Sequence, residues 1–183
     1  MLYVPPVNND FTMKKETTEQ YIDRITSYVR GKNHLNVLRS TVKRLKSLLK
    51  QTTLARLKKR PAPKQWSVAE ILAHLAESEL VLGYRLRLVL GSNGAAIQSF
   101  DQNAWQKNAG YLTNNPSRAM ELFEILRNCN IALLNSLSRQ QWKRNGIHEE
   151  RGKETVGRMV EMFAGHDVNH LRQIERILNA AQE

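Results

Sequence analysis

Gly165-His166-Asp167-Val168-Asn169-His170-Leu171-Arg172-Gln173-Ile174, near the C-terminal end of the chain, places two imidazoles four residues apart within a pattern running from about Thr155 to about Ala181. Residues i and i+4 lie one above the other on a helix, so the spacing predicts a single amphipathic helix with both rings on one face. The apolar stripe passes through Val156, Val160, Phe163, Ile174, Ile177 and Ala181, and His166, Asp167 and His170 interrupt it. Polar groups in a buried stripe need hydrogen bonds or a metal, because burying them without partners costs several kcal/mol. Alone, the pair favours the plainer reading, a hydrogen-bonded or half-exposed arrangement; a third ligand elsewhere would favour metal binding.

Outward from this stretch, the chain has 183 residues, few glycines and prolines, and apolar residues mostly three and four apart. These features predict one all-helical domain large enough to bury roughly two-thirds of its unfolded surface. No stretch reads as an alternating strand. Residues 1–17, with Pro5-Pro6 and Asn8-Asn9-Asp10, show no periodic face and are expected to form a flexible tail, with Met13 an alternative start and 18–183 the domain. A helical pattern starts at Thr18, breaks over Gly31 to Asn36 and resumes through Leu38, Val42, Leu45 and Leu49.

Pro61 and Pro63 then stop helix formation. Ser67 followed by Glu70 is a capping box, so a second helix is expected from Val68 to about Gly91–Gly94. A loop from Ser92 to Asn114 contains Phe100, Trp105 and Gly110-Tyr111. A third helix begins near Asn115-Pro116-Ser117 and runs through Leu137, and a second loop from Trp142 to Lys153 holds His148. The sum is a four-helix bundle with a broken N-terminal helix and long loops between helices two and three and between three and four.

Cys129 is the sole cysteine, which excludes an intrachain disulfide, and is expected to be a small, semi-buried residue. Without a signal-peptide pattern or a membrane-length apolar run, a soluble cytoplasmic protein is expected. The net charge of +11 is uneven, with no acidic residue between Asp23 and Glu70. Lys43, Arg44, Lys46, Lys58, Lys59 and Arg60 in that block are candidates for binding nucleic acid or another polyanion; a solvated basic face is the plainer alternative. Few aromatic residues interleave there, which argues against base stacking.

His74 lies at the border of the second helix's apolar face. Its context, Trp66-Ser67 with Glu70 and then His74-Leu75-Ala76-Glu77-Ser78-Glu79, resembles one signature of the DinB/YfiT-like family of bacterial four-helix bundles. His166 and His170 with Leu171, Gln173 and Ile174 resemble its other signature. The resemblance covers about 18–179 and extends to Phe100-Asp101, Ala104-Trp105 and Gly146-Ile147-His148-Glu149 with Gly152. It implies a divalent metal, commonly zinc or nickel, held by His74, His166 and His170. It also implies a thiol-dependent transferase or isomerase, using bacillithiol, mycothiol or glutathione, or a hydrolase. The chain departs at Asn169, where many members carry a further histidine.

Three neutral imidazoles leave an open position on a tetrahedral metal. The expectation is therefore a thiol-S-transferase or hydrolase acting on a small electrophile, with a small-molecule substrate, a low-molecular-weight thiol as cosubstrate and no membrane partner. Glu77, one turn after His74, is a candidate to orient an imidazole or act as base, its alternative being a solvated carboxylate. His148 is a candidate further ligand or acid, its alternative an exposed loop histidine. Asp167 is read as border polar, supporting the ligands. The competing function is a noncatalytic polyanion-binding protein in which the metal is structural; a homodimer is compatible with either.

Overall fold

The computed structural model describes residues 16–50, 52–110 and 113–180. The expected tail up to residue 15, Met13, Tyr111 and the helix end at Ala181 lie outside them. Glu16 and Thr17 do not behave as tail: Glu16 pairs with Arg24 at 2.8 Å, and Thr17 caps the first helix by accepting from the Gln20 amide.

That helix, α1, spans Thr18–Ser27, and α2 spans His34–Leu49. The break between them is made by Gly31 in the left-handed region at φ 73° and by Asn33, whose side chain accepts from the Asn36 amide to restart the helix. A short α3, Leu54–Lys58, precedes the proline segment. Then α4 covers Val68–Gly91, and its predicted capping box is present, with the Ser67 amide donating to Glu70 Oε2 at 2.8 Å. Two further long helices complete the bundle: α6, Pro116–Ser136, started by Asn115 with proline in its first turn, and α7, Val156–Asn179, capped by Thr155. An eight-residue α5, Gln102–Ala109, lies between α4 and α6.

α2, α4, α6 and α7 pack into a four-helix bundle, and α1 lies against α7. One core layer gathers Leu45, Trp66, Leu72, Leu75, Phe123 and Ile174, and the other Leu38, Leu82, Leu86, Leu134, Val160 and Phe163. Each such side chain, fully buried, contributes roughly 1.5–3 kcal/mol before entropy is charged. α1 approaches closely because position 165 is glycine: a Cβ there would sit 2.3 Å from the Ile25 carbonyl oxygen.

Both expected loops contain strands. β1 (Ala95–Ile97), β2 (Asn145–His148) and β3 (Gly152–Thr155) form a small sheet in that order. β1 pairs in parallel with β2, matching Ala95 with Gly146 and Ile97 with His148. β2 and β3 form an antiparallel hairpin that turns at Gly152, φ 70°. Strands of three or four residues are too short to show alternation, and β1 is stabilised by a partner about fifty residues away, so local pattern carries no sign of it. Cys129 is exposed, which corrects the semi-buried expectation. No described helix is long and apolar enough to cross a membrane.

Candidate metal centre

α4 brings His74, and α7 brings His166 and His170, to one point in the bundle interior. The three residues are 2%, 3% and 0% exposed. Nε2 of His166 lies 2.9 Å from Nε2 of His74 and 3.1 Å from Nε2 of His170, and the three ligand atoms all fall within 4.8 Å of one another. Trp66 and Phe163 stand beside the rings.

Burial is the first cause of the low basicity of these rings. It holds His74 and His170 well below the ordinary imidazole range, reinforced by their neighbouring imidazoles, and brings His166 down to about 3, with the Arg127 cation adding to the effect. The rings are therefore neutral at pH 7, each with one lone pair. In His170 the placement of that pair is set by Gln173, whose Oε1 lies 2.9 Å from Nδ1 and can only accept. Nδ1 then carries the proton, and the Nε2 lone pair faces the other two rings.

This donor set fits a divalent cation of the zinc type. Ligand nitrogens 2.0–2.1 Å from a tetrahedral metal stand about 3.3 Å apart, near the separations found. Among the described residues, Nδ1 of His74 and of His166, Asn169 Nδ2 and both amide atoms of Gln102 are buried without a hydrogen-bond partner, as are Tyr21 Oη, Arg56 Nε and Arg127 Nε.

Beside the histidines lies an ionic cluster that sequence reading missed. Arg127 of α6, 1% exposed, donates from Nη1 and Nη2 to Asp167 at 2.6 and 3.0 Å and from Nη2 to Glu79 at 2.8 Å. Nη1 also donates to the Leu38 carbonyl oxygen, and Asn130 Nδ2 donates to Glu79. Asp167 is therefore not a border residue but the buried anchor of α7 to α6. The available signal was on α6, where Arg127 and Asn130 occupy the core-facing spacing between Phe123 and Leu134.

Glu77 is buried, against the solvated alternative, and makes no hydrogen bond or ion pair among the described residues; burial pushes its carboxyl up to about 7. His148 is also buried rather than exposed, and it does not join the three-histidine group. It sits at the end of β2, accepts the Glu150 amide at Nδ1 (3.2 Å) and lies 3.4 Å from Arg85 through Nε2; burial lowers it to about 4.

The basic block is less free than its composition suggests, because folding supplies acids from distant helices. Arg44 pairs with Glu175 at 3.0 Å, Lys46 with Glu124 at 2.6 Å, and Arg60 with Glu70. Lys43, Lys58 and Lys59 remain exposed and without ion pairs among the described residues.

Residues 38–174 match the family model described as the DinB superfamily. YfiT of Bacillus subtilis, whose name assigns it provisionally as a metal-dependent hydrolase, is 30% identical over 114 residues, 61% of this chain and 64% of that one. A provisional metal-dependent hydrolase of Oceanobacillus iheyensis, OB0782, is 29% identical over 110 residues, 60% of this chain and 63% of that one. The chain thus spans just under two-thirds of the length of these curated relatives. The solved structure of Bacillus subtilis YfiT, described as an unusual four-helix bundle, superposes with a TM-score of 0.75 at 23% identity, covering 98% of this chain and 94% of that one. The mycothiol-dependent maleylpyruvate isomerase superposes with a TM-score of 0.62 at 14% identity, covering 75% and 57%. At these identities the superpositions speak to the fold.

Proposed function

The chain belongs to the DinB superfamily, and from that premise we propose that it is a metal-dependent enzyme whose divalent ion, zinc or nickel, is held by His74, His166 and His170. The convergence of three neutral Nε2 atoms in the bundle interior carries this reading. When bound, the metal supplies Lewis acidity, which lowers the pKa of water or of a thiol into the neutral range. The reaction is attack of water or a low-molecular-weight thiol on a small electrophile. The hydrolase names of the sequence relatives and the thiol dependence of one structural relative support that pair of alternatives.

The chain's own residues divide the remaining work. Gln173 holds the His170 proton on Nδ1, and the Arg127–Asp167 pair fixes the part of α7 that carries His166. Glu77, one helical turn from His74 and free of partners among the described residues, takes the proton from the nucleophile and returns it to the leaving group. A carboxyl near 7 is suited to both transfers at neutral pH. The polyanion alternative is weakened by the ion pairs at Arg44, Lys46 and Arg60.

Elemental analysis of untagged protein, beside a variant with alanine at His74, His166 and His170, tests the proposal. Near-stoichiometric zinc or nickel that disappears in the variant is expected. Absence of metal after reconstitution with either ion would overturn it.

A further inference from the structure

Arg85 lies on α4 eleven residues after His74, three turns further along the same face. It is 3% exposed, and yet it makes no ion pair among the described residues. The other buried arginines are matched: Arg127 by Asp167 and Glu79, and Arg151 by Glu154 at 2.5 Å. Among the described residues, Arg85 has as hydrogen-bonding neighbours the Gln98 carbonyl oxygen, 2.6 Å from Nη2, and the His148 ring. A guanidinium remains charged in proteins, and Glu154, Glu149 and Glu150 act on this one only through space, against the like charge of Arg151, so it is a buried cation with no carboxylate in contact among the described residues.

The His148 contact does not relieve it. Nδ1 of His148 accepts the Glu150 amide, so the proton of the neutral ring sits on Nε2. Nε2–H then faces Arg85 Nη2 at 3.4 Å, two donors side by side without an acceptor. With the opposite tautomer the misfit moves to Glu150, and Arg85 still has no carboxylate in contact among the described residues.

A second observation lies on the segment that crosses α4. It is tied at one end by Arg85 to Gln98 and at the other by Gln106, whose Nε2 donates to Glu70 at 2.8 Å. Glu70 and Arg85 stand about 22 Å apart along the helix at 1.5 Å per residue. Four extended residues and one helical turn from Gln98 to Gln106 span about 19 Å. Gln102 lies between the two ties, and so between Arg85 and Glu70 along α4. It is 2% exposed, and among the described residues neither its amide oxygen nor its amide nitrogen has a partner.

We propose that Arg85, with His148 Nε2–H, is the receptor for a carboxylate of the substrate, and that Gln102 binds an uncharged polar group between that carboxylate and the histidine centre. The substrate class is thus a small organic acid lying along α4. One guanidinium and one neutral donor, with the carboxylates of Glu154, Glu149 and Glu150 also acting on them, favour a carboxylate over a phosphate dianion, and the guanidinium fork matches two carboxylate oxygens. The placement along α4 rests on the proposed metal centre, whereas the anion receptor itself does not.

Ligand-detected NMR titration of the full chain with butanoate, butanamide and inorganic phosphate tests this, using protein as purified and after chelator treatment. Saturable binding of butanoate, but not of butanamide, is expected in both preparations. Arg85→Met should weaken it at least tenfold while leaving the unfolding midpoint equal or higher, since an unpaired buried cation is removed. Arg85→Lys, which keeps the charge but loses the fork, should weaken it less. Undiminished binding in both variants, preference for phosphate, or loss of butanoate binding on metal removal would overturn the proposal. The metal analysis above stands or falls separately.

Discussion

Arg127 on α6 and Asp167 on α7 form a two-pronged ion pair, 2.6 and 3.0 Å, with both side chains 1% exposed and Asp167 immediately following His166. The same guanidinium neutralises Glu79 on α4, the helix that also carries His74. One cation thus ties together the two helices that supply all three histidines.

Removing that cation leaves two buried carboxylates sharing one site. Arg127→Met is expected to cost about 3–5 kcal/mol, the usual consequence of deleting one partner of a buried ionic group. Urea unfolding followed by circular dichroism measures it. A loss below about 1 kcal/mol would show that Glu79 and Asp167 find other partners.

Gln173 bonds Nδ1 of His170, the nitrogen turned away from the other two rings, so its effect should be on the centre rather than the fold. Gln173→Ala is expected to weaken zinc binding about 10–100-fold, the usual range for a residue that orients a ligand. The unfolding midpoint of chelator-treated protein should change little. Competition with a chromophoric chelator reads the affinity, and unchanged affinity would remove Gln173 from its assigned role.

Gly165 is the point where α1 meets α7. Gly165→Ala puts a methyl group 2.3 Å from the Ile25 carbonyl oxygen, and backbone cannot yield as a flexible side chain does. Destabilisation of about 1–3 kcal/mol is expected from overpacking, although alanine is the better helix former. Hydrogen exchange should show the loosening first in α1; slower exchange there would contradict the packing argument.

The acid response of metal-free protein follows from the lowered histidine basicities. In the unfolded chain His74, His166 and His170 protonate near 6.5, whereas in the fold burial keeps them neutral, His166 down to about 3. Below 6.5 the unfolded state binds more protons, so stability falls as pH falls. Glu77 works the other way: its folded value near 7 makes the unfolded state lose its proton first, so that contribution falls as pH rises from 4.5 to 7. The three imidazoles outweigh one carboxyl, and a net uptake of protons on unfolding is expected between pH 4.5 and 6. Chemical unfolding at several pH values measures it. Net release in that window would mean that the rings are charged in the fold.

Much of this architecture was legible in sequence because it rests on local chemistry. Ser67 with Glu70, Asn115 with Pro116, and the break at Gly31 each act within one turn of chain, and α2, α4, α6 and α7 begin and end close to where their signals place them. The pairing of His166 with His170 follows from helical period alone, and the resemblance brought in His74. The sheet was not legible: β1 exists only because Ala95 meets Gly146 and Ile97 meets His148 across the fold.

Charge balance likewise belonged to the tertiary structure. Sequence shows an acid-free run from Arg24 to Lys64, but Glu175, Glu124 and Glu70 reach Arg44, Lys46 and Arg60 only after folding. It shows Asp167 beside a histidine, but not that Arg127, forty residues away, takes both its oxygens. Helix boundaries and ligand spacing are properties of a few consecutive residues, so the sequence by itself determined them. Which charges are matched, and which, like Arg85, are buried without a partner, depends on distances between segments far apart in the chain, so only the tertiary structure could decide it.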